Sequence, residues 1–141
     1  MGNKKYRRYE PKAFESKQNS SDVSANIYVS MLMSDAWKAL TDGAKILYLY
    51  CKAQYYAEKK KPKPQQTNPL KLNEEQLNRC FTMNKSKWKD MYEITSNQNQ
   101  FTKNMQMLID YGFIELIENG KITRTKSIYM LSDKWKDTVI I

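Results

Sequence analysis

The stretch that most restricts what this chain can fold into runs from Thr95 to Leu131. Phe101, Met105, Leu108 and Ile109 recur at one-turn spacing, which predicts an amphipathic helix capped by Thr95 or Ser96 and running to Tyr111. Gly112 falls where such a helix needs a residue able to turn left-handed. Phe113-Ile114-Glu115-Leu116-Ile117 has strand composition, and Asn119-Gly120 is a strong signal for a two-residue hairpin turn. The chain then returns through Ile122 to Lys126 and on to Ile128-Tyr129-Met130-Leu131. A helix followed at once by a hairpin predicts a mainly α-helical chain with a small antiparallel sheet, the α+β class.

Composition narrows the function. At 141 residues there is room for one modest core plus tails. The net charge of +9, carried mainly by lysine, points to a polyanionic partner, either nucleic acid or an acidic membrane surface. No apolar run approaches the ~18 residues of a membrane span, so no spanning segment is expected, and of the two polyanions the expected partner is nucleic acid, with no membrane. The opening Met1-Gly2-Asn3-Lys4-Lys5-Tyr6 has tyrosine where a myristoylation signal needs serine or threonine. Cys51 and Cys80 lie in apolar helical contexts, which predicts buried, reduced thiols in a cytoplasmic protein.

Catalytic patterns are missing from the sequence. Without histidine there is no serine–histidine or cysteine–histidine nucleophile and no mixed Cys/His zinc site. Glu74 and Glu75 are neighbours on a predicted helix and so point about 100° apart. Asp133 and Asp137 are flanked by Lys134 and Lys136, an ordinary charged surface. The expectation is a protein with no enzymatic activity, no metal and no cofactor.

Along the chain, residues 1–25 read as a flexible basic arm, and residues 26–141 as the folded domain. Ile27 to Met31 alternates weakly and predicts a first strand. Ser34 caps a short helix with Ala36, Trp37 and Leu40, and Thr41 caps a longer one from Asp42 to about Lys59. That helix is apolar on two sides. Ala44, Leu47, Tyr48, Cys51 and Tyr55 form one face; Ile46, Leu49, Tyr50, Ala53 and Tyr56 form another, enclosed by the domain or by a partner subunit. Lys59 to Asn68 is a charged, proline-containing loop. A helix from Asn73 with Leu77, Cys80 and Phe81 inward, and another capped by Asn84 with Trp88, Met91 and Tyr92, come next. After the hairpin, Ser132 caps a last short helix anchored by Trp135.

Two segments carry a family resemblance, and the region they frame covers roughly residues 27–137. Ala39-Leu40-Thr41-Asp42-Gly43-Ala44-Lys45-Ile46-Leu47-Tyr48 is similar to the opening of the N-terminal domain of the replication initiator A family. Met107-Leu108-Ile109-Asp110-Tyr111-Gly112-Phe113-Ile114 resembles the helix-to-strand junction of winged helix domains generally. The chain thus looks like the winged helix-turn-helix proteins of Gram-positive plasmids and conjugative elements, including accessory proteins of transfer origins (relaxosome accessory proteins). The resemblance implies a DNA-binding cytoplasmic protein recognising short repeated sites on a mobile element, at an origin of conjugative transfer or of replication. Double-stranded DNA, a homodimer and other DNA-processing proteins of the same element are the implied partners. A transcriptional repressor of such an element and a winged helix protein-interaction module are the alternatives.

On the recognition helix, Asn97, Gln98, Asn99, Gln100, Thr102, Lys103 and Asn104 lie opposite the apolar stripe. Asparagine and glutamine can bond adenine bidentately, so this face suits A·T pairs in the major groove. The wing offers Asn119, Lys121, Thr123, Arg124, Thr125 and Lys126, with Glu115 and Glu118 preceding it. Because phosphate contacts dominate affinity, this basic wing, led by Arg124, is expected to be a major contact. Lys4, Lys5, Arg7 and Arg8 of the arm are further candidates, and Lys59, Lys60, Lys61 and Lys63 form a diffuse patch.

Overall fold

The structure, a computed structural model, describes residues 11–15, 22–64, 72–120 and 126–138. Among the described residues, α-helices run Val29–Leu32 (α1), Asp35–Ala39 (α2), Asp42–Ala57 (α3), Glu74–Asn78 (α4) and Gln98–Asp110 (α5). Strands Cys80–Thr82 (β1), Ile114–Glu118 (β2) and Ile128–Leu131 (β3) form an antiparallel sheet in the order β1-β3-β2. A π-helix spans Ser86–Met91, and a 3₁₀ turn spans Lys134–Asp137. The chain is therefore α+β, with helices predominating and one small antiparallel sheet.

Capping explains where the helices begin. The Ser34 hydroxyl accepts from the Trp37 amide (3.2 Å), and the Thr41 hydroxyl from the Ala44 amide (3.2 Å). Asn73 and Gln76 form a reciprocal capping box at α4. α5 starts later than Thr95 or Ser96 would place it. Asn97 is the cap, its Oδ1 accepting from the Asn99 and Gln100 amides at 2.9 and 3.2 Å. An asparagine here satisfies two of the orphan amides that begin every helix.

The far end of α5 is closed by two linked hydrogen bonds. The Gly112 amide donates to the Ile109 carbonyl (3.1 Å), and the Phe113 amide to the Leu108 carbonyl (2.9 Å). This is the Schellman pattern, and Gly112 takes the left-handed conformation it demands, with φ at 84°. A Cβ there would sit 2.6 Å from the Trp135 backbone nitrogen, so two separate constraints require glycine. Gly43 matters for another reason: a Cβ on it would come within 2.8 Å of Asn104 Nδ2, where α3 crosses α5.

The helices cover one face of the sheet. Ala44, Leu47, Tyr48, Phe81, Trp88, Phe101, Leu108, Phe113 and Ile114 belong to a single buried cluster. Its aromatic members meet edge to face, Tyr48 and Phe113 at 5.4 Å and Trp37 and Phe113 at 5.8 Å. On the other face a smaller cluster joins Cys80, Ile128 and Met130 with Leu72 and Ile117. Both cysteines are buried and free. Burial pushes both thiols up, that of Cys80 to about 11.

Three predicted elements come out differently. Ile27–Met31 is no strand: Val29–Leu32 is a short helix, with Met31 buried and Val29 exposed, a one-sided pattern that a single turn satisfies. Cys80 and Phe81 leave α4 and enter β1, where every residue is buried because both faces of the sheet are covered. Asn119-Gly120 does not make a two-residue turn, since Glu118 pairs with Ile128 and the connection takes in residues 119–127. Burial of Ile128 and Met130 fixes this register, and Ile117 forms a bulge between the Leu116 and Glu118 pairs.

A polar network ties the C-terminus of α3 to β1 and the π-helix. The Thr82 amide donates to both Glu58 carboxylate oxygens (3.1 and 3.2 Å), and the Thr82 hydroxyl also donates to Glu58. Gln54 Nε2 donates to Glu58 at 2.7 Å, and the Tyr92 hydroxyl donates to Gln54 Oε1 at 2.7 Å. One carboxylate thereby positions β1, while Gln54 holds the end of the π-helix against α3.

Candidate nucleic-acid interface

The π-helix and α5 are joined by residues 92–97 and locked by stacking. Trp88 lies flat on Phe101, ring centres 4.5 Å apart and planes 12° from parallel. The π winding shows in the Tyr92 amide, which donates five residues back to Lys87 (2.8 Å). Two short helices at a turn, the second carrying exposed amides, leave a polar edge beside the hairpin.

Between that edge and the hairpin runs a groove of about 650 Å³. Phe101, Met105 and Trp88 contribute to its floor, and Gln98, Thr102 and Gln106 line one wall. Asn119 and Lys126 come from the opposite wall, with Asn84, Lys85 and Ser86 also lining the groove. Four of the expected contact residues, Gln98 and Thr102 from the helix and Asn119 and Lys126 from the hairpin, therefore meet in one place.

The other helix candidates lie elsewhere. Asn99, Gln100 and Lys103 are exposed outside the groove, and the carbonyl oxygen of the Asn97 side chain is engaged in capping. Asn104 is a correction: it is buried rather than outward, wedged against Gly43, with Gln100 Nε2 donating to its Oδ1 at 3.5 Å. Helix rotation explains this, because position 104 falls one turn from both Phe101 and Leu108 on the inward face.

Of the residues expected to form a wing, Lys121, Thr123, Arg124 and Thr125 lie outside the described residues, as do Lys4, Lys5, Arg7 and Arg8 of the expected arm. Flanking residues 121–125, the Gly120 amide donates to the Ser127 hydroxyl at 2.9 Å. The two carboxylates of β2, Glu115 and Glu118, do not line the groove. Glu115 is bridged by Lys134, and Glu118 is buried. Tyr129, at the groove floor, has its phenol pushed up by burial, with a hydrogen bond to Ser127 opposing the shift.

Sequence reasoning missed Lys85, Ser86 and Gln106. Gln106 was legible in principle, since it continues the Gln98–Thr102 row at one-turn spacing; it donates to Asp110 at 2.8 Å. Lys85 and Ser86 become candidates only once the π-helix is placed. Lys61 does not belong to a diffuse basic patch. It folds back, donating to the Tyr55 carbonyl and lying 3.8 Å over the Tyr55 ring, and burial pulls its ammonium pKa down. Lys59, Lys60 and Lys63 are exposed.

Among the described residues no cluster of three or more His, Cys, Asp or Glu side chains could hold a metal ion, and no helix is long and apolar enough to cross a membrane. Comparison with protein-family models, with curated proteins and with solved structures finds no match for this chain.

Proposed function

We propose that this protein is a winged helix-turn-helix protein that binds double-stranded DNA without catalysing a reaction on it. The observation that carries the reading is the groove, where amide and hydroxyl groups of α5 face a lysine and an asparagine of the hairpin. Such a surface supplies what duplex recognition needs: a helix edge able to bond base edges, beside a cation placed for phosphate. The π-helix, the turn and α5 supply a helix pair, and the hairpin beside them supplies the wing. The net charge of +9 favours the same partner. The setting, an origin of conjugative transfer or replication on a mobile element, rests on the sequence resemblance alone.

Fluorescence anisotropy with labelled duplexes tests the reading. Binding should weaken steeply as salt rises, and Lys126→Ala should lower the slope of log affinity against log salt by about 1. Absence of binding to random and A·T-rich duplexes at low salt would overturn it. An unchanged salt slope in Lys126→Ala would remove the hairpin from the contact.

A further inference from the structure

A second cleft, of about 310 Å³, opens where α1, α3, the end of α4 and the turn after β3 meet. No residue lines both this cleft and the groove beside α5. Its size falls at the lower end of the about 300–1,000 Å³ that small-ligand sites occupy. Backbone hydrogen bonds hold its walls in place. The Leu131 amide donates to the Arg79 carbonyl, and the Ser132 amide to the Phe113 carbonyl, both at 3.0 Å.

Charge in this lining is one-sided. Among the described residues, Lys52, Arg79 and Lys136 share it with one carboxylate, that of exposed Asp133. Lys52 is half-buried and in no ion pair among the described residues, and burial pulls its ammonium pKa down. Arg79 Nε is buried without a hydrogen-bond partner, and exposed Glu75 only approaches it at 3.4 Å. Cations held partly out of water without a matched carboxylate lack the compensation that buried charge requires. A bound anion supplies it.

The rest of the lining narrows the anion. Ser30 and Ser132 add hydroxyls; that of Ser132 accepts from the Lys134 amide at 3.2 Å, which leaves its proton to donate. A phosphate monoester brings close to two charges and three acceptor oxygens, enough for two cations and a hydroxyl, where a carboxylate brings one charge. Tyr28, 68% exposed, adds a ring on which a planar group can stack.

We infer that this cleft binds a small phosphate monoester carrying a planar ring, with the phosphate on Lys52 and Arg79 and the ring on Tyr28. A free mononucleotide and the 5′-phosphorylated end of a nucleic-acid strand present this same group. The inference needs nothing from the reading of the groove.

Equilibrium dialysis of the full chain against adenosine 5′-monophosphate tests it. The nucleotide should bind one to one, and adenosine about tenfold more weakly or worse. Lys52→Met and Arg79→Met keep the side-chain stems; each should weaken binding about tenfold with an unchanged melting profile. Asp133→Asn should tighten binding, which no loss of packing would do. Tyr28→Ala should lower affinity to that for inorganic phosphate, and Lys126→Ala in the groove should change nothing. A 5′-phosphorylated dinucleotide that binds more tightly than the mononucleotide assigns the cleft to strand ends, and one that binds more weakly assigns it to free nucleotides. No binding of either probe at millimolar concentration would overturn the inference. So would full binding by folded Lys52→Met and Arg79→Met variants, or loss of binding in Lys126→Ala, which would put the phosphate in the groove.

Discussion

The two ends of α5 are built on opposite terms. Its C-terminal end is closed by the Gly112 turn, with Phe113 buried and stacked on Trp135 at 6.0 Å. Its N-terminal end is held by the Asn97 cap and by Phe101 stacked on Trp88, and otherwise shows amides and a hydroxyl to solvent. One end is closed by packing and a fixed backbone turn, whereas the other keeps an exposed polar edge above its packed side. The division leaves the exposed polar groups of the N-terminal end largely unneeded for holding the fold together.

Substitutions should separate the two ends by size and by readout. Gly112→Ala should destabilise most, by about 3 kcal/mol or more, because it combines a left-handed φ with a clash against backbone that cannot swing aside. Chemical denaturation measures this, and a loss below about 1 kcal/mol would mean the closed end is not closed by geometry. Trp135→Ala should come next, at about 2–3 kcal/mol, since the ring is only half-buried and its loss exposes Phe113.

At the other end the effects shrink and change character. Asn97→Ala should cost about 1 kcal/mol, the usual worth of a cap, while Asn97→Asp should retain it. Thr102→Ala should leave stability within about 0.5 kcal/mol yet weaken duplex binding by about 1 kcal/mol if its hydroxyl meets DNA. A Thr102→Ala variant that unfolds early but binds normally would erase the contrast between the ends.

Much of the frame can be read from residue order. Thr41 and the apolar positions of Ala44, Leu47, Tyr48 and Cys51 specify α3, and Gly112 marks the end of α5. The strand β2 is evident from its composition. Elements that escape reading depend on contacts distant in the chain. β1 lacks alternation because helices cover one face and the Ile128–Met130 cluster the other, so its apolar residues pass for the end of a helix. The Asn119-Gly120 pair carries a hairpin signal that the packing of β3 overrides. Asn104 has the chemistry of a surface residue, and its burial comes from the gap left by Gly43 across the helix crossing. In the groove, Gln98 and Thr102 can be read from the sequence as members of the polar face of α5, but their meeting with Lys126 is a product of the sheet register.

The strand order β1-β3-β2 has a consequence for biosynthesis. β3 is the last of the three to be translated, yet it is the one on which both others depend for their ladder hydrogen bonds. Until Leu131 has left the ribosome, β1 and β2 have no strand between them to join. The helices can form as they emerge, but the sheet under them has to wait, and a stalled nascent chain would hold two bare strand edges in the meantime.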